Sequence, residues 1–282
     1  MQPRPERCWG RGETAAVWPW FDVRVVAPTD LDVALAAARA GTAVVDDMYG
    51  SALAVEHKTA TDFATAADRA AEQAILDVIR ASRPDDGFEG EELGAVRVGT
   101  LGRTWLVDPL CGTVNFAAEA PAFCVNVALV VDGTTTTAVV IHPPTGETYW
   151  AYDGVFGVLG RDRSPAPNRL VDINADGPLD RDFVGAQLAA DPAFRAVFNP
   201  RVESSTVALA WVASGRRLAY VTDGDCEGSV HFSAGIAICQ AAGCIVTDFD
   251  GAPVHTGLGL VAARDADTHA TLLRLVGKHR AS

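Results

Sequence analysis

Positive charge is scarce in this chain: 23 Lys and Arg face 36 Asp and Glu, a formal net charge of −13 at pH 7. A surface of that sign repels a phosphate backbone or an anionic bilayer, which excludes general nucleic-acid and membrane-surface binding. No stretch approaches the roughly 18–20 consecutive apolar residues of a membrane span. The opening MQPRPERCWG has no apolar segment of the kind a secretory leader carries. The six cysteines form no C-x-x-C pair. With no export signal they read as reduced cytoplasmic thiols, mostly small buried hydrophobes. Internal repeats and low-complexity tracts are missing too. What remains is globular material: 282 residues, 49 % hydrophobic and 21 % charged. That is enough for one large domain or two joined small ones around a sizeable core.

Residues 1–28 read as an irregular extension rich in Pro, Arg and Trp. Thr29 or Asp30 caps a predicted helix over Leu31–Tyr49, and a second helix covers Ala66–Ser82, stopped by Pro84-Asp85-Asp86-Gly87. Between them, Glu56–Thr65 reads as a loop. Thr104–Val107 reads as a buried strand that delivers Asp108 at its end. Asp132-Gly133 joins Cys124–Asp132 to Thr135–His142 as a hairpin, and Glu147–Tyr152 and Gly154–Leu159 continue the antiparallel pattern. After Pro165 and Pro167, strands (Phe183–Leu188, Leu218–Thr222, Ile245–Asp248, Leu260–Ala263) alternate with helices (Ser205–Ser214, Phe232–Ala242, Ala266–Lys278). This predicts an α+β part over 29–162 and an α/β part over 163–282.

The chemistry concentrates around Asp108. Pro109 ends ladder pairing at its own position. Gly112 permits close backbone approach, and the amides of Gly112 and Thr113 open a helix start suited to an anion. A carboxylate beside an anion pocket calls for a divalent cation between them, and Glu91 and Asp108 are the oxygen ligands that suit Mg²⁺. Taken singly, Asp108 reads as a helix cap and Glu91-Glu92 as a solvated loop.

Four stretches stand in order: Asp62-Phe-Ala-Thr65-Ala-Ala-Asp68; Gly90-Glu91-Glu92; Trp105-Leu-Val-Asp108-Pro109-Leu110-Cys111-Gly112-Thr113-Val-Asn115-Phe116; and Val230-His231-Phe-Ser-Ala234-Gly235, followed by Ala241-Ala-Gly243 and Thr247-Asp248. Together they resemble the inositol monophosphatase family of Mg²⁺-dependent, lithium-sensitive phosphomonoesterases. The likeness runs over residues 31–280. It implies an α+β and α/β chain in a layered α-β-α-β-α sugar-phosphatase fold, commonly a homodimer. It also implies that Glu91, Asp108 and the Leu110 carbonyl hold a first metal, and that Asp68 and Thr113 orient or activate the attacking water. The Gly112 and Thr113 amides would cradle phosphate, and Ser205 and Asp223 would face the substrate. Lys58 stands near the place of a family lysine on a mobile loop, one residue short in its spacing to Asp62.

Two positions depart from the pattern. Cys111 replaces the second Asp of D-P-[IL]-D-G-T, and Val230-His231 replaces the Trp-Asp of W-D-x-A-A-G. In the family those two aspartates and the residue matching Asp108 hold a second ion. Three readings stay open. Asp108, Cys111 and His231 form a softer site for Zn²⁺. Alternatively, Cys111, its pKa lowered at a helix start, and His231 make a metal-free dyad. In the third, the second metal is lost. Each leaves one or two Mg²⁺ ions rather than three. The expected function is hydrolysis of a small polyol, sugar or nucleotide phosphate. The alternatives are a repurposed cyclase, lyase or transferase of specialised metabolism using Cys111 and His231, and a non-catalytic binding homologue. Of the remaining histidines, His142 reads as the end of a strand, and His255, His269 and His279 as surface residues.

Overall fold

The structure, a computed structural model, describes residues 27–51, 55–57, 63–97, 102–161, 164–254 and 259–280. All but the last two residues of the expected extension, and also Lys58, Asp62 and His255, lie outside the described residues. Helix α1 (Asp30–Met48) starts where Thr29 and Asp32 exchange side-chain-to-backbone hydrogen bonds, and α2 (Ala66–Ser82) starts on the same device made by Thr65 and Asp68. Each pair satisfies donors that a helix start leaves open. Between them β1 (Val55–His57) pairs antiparallel with β2 (Phe63–Thr65), so the stretch expected as a loop carries a short hairpin. Strands this short show no alternation in sequence.

The first sheet contains β3 (Gly87–Gly90), β4 (Gly94–Arg97), β5 (Arg103–Cys111), β6 (Cys124–Val131), β7 (Thr134–His142), β8 (Glu147–Tyr152) and β9 (Val155–Leu159), with the five-residue helix α3 (Thr113–Ala117) after β5. Its order is β4-β3-β5-β6-β7-β8-β9, and only β3 and β5 run parallel. Asp132 and Gly133 both take positive φ (49° and 79°), as do Asp153 and Gly154 (47° and 74°). Such two-residue turns match the twist of the strands they join.

The second sheet contains β10 (Leu170–Asn174), β11 (Asn199–Glu203), β12 (Ala219–Thr222), β13 (Ile245–Thr247) and β14 (Leu260–Ala263), in the order β11-β10-β12-β14-β13. The first three of that order are parallel, and β14 is antiparallel to both neighbours. Its helices are α4 (Val184–Ala190), α5 (Pro192–Val197), α6 (Val207–Ala213), α7 (Ser233–Ala241) and α8 (Ala266–Arg280). The segment expected as a strand over Phe183–Leu188 is therefore helical. The Asp223 carboxylate decides it, accepting the amides of Val184 and Gly185 at 3.0 and 2.9 Å and closing the first turn of α4. The strand of that region is β10, and β10, α5 and β11 escaped the sequence pattern.

Alternation along the strands builds the layers. Trp105, Val107, Val125, Val127 and Val139 face α1 and α2, while Leu106, Ala128, Ala138 and Val140 face α6 and α7. Tyr220, Leu260 and Ala262 of the second sheet pack into that same middle layer, and Val171, Ile173, Val221 and Val261 face α4, α5 and α8. The result is the expected α-β-α-β-α order.

Candidate functional site

The site rests on an irregularity in β5. Asp108 pairs with Asn126 and Cys111 pairs with Cys124, so three steps along β5 match two along β6. Residues three apart on a regular strand point to opposite faces. The extra residue at Pro109-Leu110 is a bulge that restores parity and brings Asp108 and Cys111 to one face. Strand β5 therefore runs on to Cys111 instead of ending at Asp108. Gly112 follows at φ +99°, and a Cβ there would meet the Ala122 carbonyl at 2.7 Å, so only glycine fits.

On that face, Asp108 is fully buried, with its Oδ2 2.7 Å from His231 Nδ1. The Leu110 amide donates to its Oδ1 at 3.1 Å. Glu91 Oε2 lies 4.0 Å from the same imidazole nitrogen. One ligand atom each from Asp108, Cys111 and His231 falls within 4.8 Å of the others. The expected proximity of Cys111 and His231 is thus met, although the imidazole's close partner is Asp108. The thiol is not the activated one expected at a helix start. Its Cys124 neighbour, its burial and the Asp108 charge push its pKa well above the usual thiol value. The amide and hydroxyl of Thr206 point at its sulfur, at 3.2 and 3.0 Å.

A second group meets beside it. Thr113 Oγ1 lies 2.9 Å from Asp68 Oδ1 and 3.0 Å from the Leu110 carbonyl. The other Asp68 oxygen accepts the amide and hydroxyl of Thr65 at 2.7 and 2.6 Å. Asp68 is thus both the capping partner that starts α2 and the neighbour of Thr113. Burial outweighs these hydrogen bonds and raises its pKa.

Ser205 and Asp223 are placed differently. Ser205 Oγ donates to the Cys111 carbonyl at 3.1 Å and accepts from Val207 N, so it fastens the start of α6 to β5. Asp223 is buried as the cap of α4, with Arg181 donating to its carbonyl. Among the histidines, His269 is buried against Thr247, contrary to the surface reading, because α8 packs that face inward.

Two residues went unremarked in the sequence. Glu72, fully buried one turn after Asp68, accepts the amides of Glu92 and Leu93 at 2.9 and 3.2 Å and so holds the turn that presents Glu91. Burial, with the Glu92 and Asp108 charges adding to it, pushes its pKa up to about 7. Gly90 exists to admit it, since a Cβ there would overlap the Glu72 carboxylate. The available signal was a second acid on the apolar face of α2, in phase with Ala71, Ile75 and Ile79. Asn126 donates to Thr206 Oγ1 at 2.9 Å and to the His231 carbonyl at 3.3 Å, tying β6 to both segments. Its signal was a polar residue on the core-facing alternation of β6.

The fold and site define a layered, acid-lined phosphatase-type scaffold. The chain belongs to the inositol monophosphatase family, whose sequence model matches residues 28–281. It is 32 % identical to the Nus factor SuhB of Escherichia coli K12 over 83 % of this chain and 90 % of that protein. It is 29 % identical to an inositol-1-monophosphatase of Synechocystis over 88 % and 90 % of the two chains. The solved extragenic suppressor protein SuhB of Bartonella henselae superposes with a TM-score of 0.77 at 26 % identity, covering 87 % of this chain and 97 % of that one. An IMPase of Thermotoga maritima gives 0.75 at 25 % identity, covering 88 % and 96 %. Among the described residues, no helix is long and apolar enough to cross a membrane.

Proposed function

We propose that this chain is a divalent-metal-dependent hydrolase of a small polyol, sugar or nucleotide phosphate monoester, acting as a homodimer with reduced or altered metal use. The observation that carries the reading is the Thr113 hydroxyl set between Asp68 Oδ1 and the Leu110 carbonyl, one bulge away from Asp108. The hydroxyl has one proton to give. When the Leu110 carbonyl is otherwise engaged, that proton goes to Asp68 and the Thr113 lone pairs accept from a water. Asp68, made more basic by burial, is placed to take up the water's proton through Thr113 as the water attacks phosphorus.

The donor chemistry fits a cation at one place and changes it at the other. Glu91, Asp108 and the Leu110 carbonyl are all oxygen donors, the set that suits Mg²⁺. Asp108, Cys111 and His231 supply oxygen, sulfur and nitrogen, a poor set for Mg²⁺ and a suitable one for Zn²⁺. A bound cation supplies Lewis-acid charge to the phosphoryl oxygens. The test is phosphate release from inositol, hexose and nucleoside monophosphates, in chelator and with Mg²⁺, Mn²⁺ or Zn²⁺ added. Release from at least one ester that needs metal, Asp68 and Thr113 supports the reading. No release under any metal from folded protein overturns it, in favour of a repurposed enzyme or a binding homologue. Three Mg²⁺ ions per chain by calorimetry would refute the reduced metal use.

A further inference from the structure

The bulge that aligns Asp108 with Cys111 also sets Cys111 directly opposite Cys124 on the neighbouring strand. Directly opposed residues of antiparallel strands have Cα atoms about 4.5–5.5 Å apart, inside the 4.4–6.8 Å range that a disulfide spans. Their side chains share a face, both packing into the layer of α6 and α7. Thr206 Oγ1 touches both sulfurs, at 3.0 Å from Cys111 and 3.9 Å from Cys124. Both thiols are free in the structure. Cys124 is sealed in the core, whereas Cys111 keeps a small exposed edge at 8 %.

We propose that Cys111 and Cys124 are an oxidisable pair, and that closing them into a cross-strand disulfide withdraws the sulfur from the Asp108–Cys111–His231 cluster. The co-reactant is a small peroxide. Cys111 sulfur attacks one peroxide oxygen, giving a sulfenic acid and water. Cys124 sulfur then displaces the sulfenic hydroxyl as a second water. Two thiols are oxidised, one peroxide is reduced, and both thiol hydrogens leave in water. The direction of access follows from burial: the oxidant meets Cys111 first, and Cys124 resolves it from the core side. The effect on hydrolysis rests on the function proposed above, but the disulfide does not.

The experiment treats the full chain with hydrogen peroxide, blocks remaining thiols with N-ethylmaleimide, and maps peptides without reduction. The expected result is a Cys111–Cys124 linked peptide that dithiothreitol removes, with Zn²⁺ uptake at the cluster lost on oxidation and recovered on reduction. Cys124→Ser should abolish the linked peptide and leave Cys111 as an unresolved sulfenic acid that dimedone traps. A full thiol-blocking pattern at Cys111 and Cys124 after peroxide would overturn the proposal. So would a disulfide confined to Cys239 and Cys244, whose backbones are joined by the Cys244 amide donating to the Cys239 carbonyl, or sulfinic acid at Cys111 with no link. Absence of phosphatase activity in the reduced protein would refute the hydrolase reading alone, since mapping decides the disulfide separately.

Discussion

At the scale of single residues, the site was legible where the chain spells its chemistry in a row. Asp108 through Thr113 forms one contiguous segment, and the pairing of Asp68 with Thr113 was implied by the resemblance of their two motifs to the family pattern. Replacing Asp68 by Asn or Thr113 by Val should lower kcat by about 10²–10⁴-fold, the range for a lost proton-transfer group, while Thr113→Ser keeps most of it. Steady-state kinetics on the best ester checks this; an unchanged kcat in both variants would remove the pair from the mechanism. Cys111→Asp combined with His231→Asp should raise Mg²⁺-dependent release by about tenfold or more, equivalent to about 1.4 kcal/mol of barrier. Each single change should do much less, because one carboxylate completes only part of the site. Glu72 and Asn126 were not legible, because what they hold (the Glu92 and Leu93 amides, the His231 carbonyl) is 20 to 105 residues away in sequence.

Elements were legible where their signals are local. Caps at Thr29 and Thr65 and the Asp-Gly turns are encoded within a few residues. The α4 segment was misread because its deciding partner, Asp223, is 39 residues from Val184. Asp223→Ala should therefore lower stability by about 1–2 kcal/mol, the scale of a lost helix cap, and leave KM nearly unchanged. A large rise in KM at unaltered stability would return Asp223 to the substrate. A pH effect belongs to the α2 contact with the 91–93 turn. Folded Glu72 has a pKa of about 7 against an ordinary 4.5, so the folded state binds the extra proton between those values. Its contribution to stability is present below about pH 4.5 and falls as pH rises towards 7, by at most about 3 kcal/mol. In metal-free protein, Glu72→Gln should lose less stability between pH 5 and pH 8 than the parent does in urea titrations. Equal losses would mean that the carboxyl is ionised throughout.

For the whole molecule, patterning separated an α+β part from an α/β part, the order of layers came from the family resemblance, and the way the layers lock was not legible. The middle helices α6, apolar on all sides, and α7, buried from Ser233 to Cys239, share one core with both sheets, Leu106 and Tyr149 on one side, Tyr220 and Leu260 on the other. Neither sheet can lose that layer without exposing the other. Unfolding followed by far-ultraviolet circular dichroism and by the fluorescence of Trp105 and Trp211 should show coincident transitions; two separated midpoints would mean independent halves. The β5 bulge, finally, separates two kinds of heritable change. Because parity at Asp108 and Cys111 depends on the number of residues between them and not on which side chains they carry, substitution there changes the chemistry of that face while the backbone stays put. Gain or loss of one residue would turn Asp108 or Cys111 to the far side of the sheet. A directed-evolution library built on that segment should therefore return folded variants with other side chains at Cys111 and none with a residue gained or lost between Asp108 and Cys111.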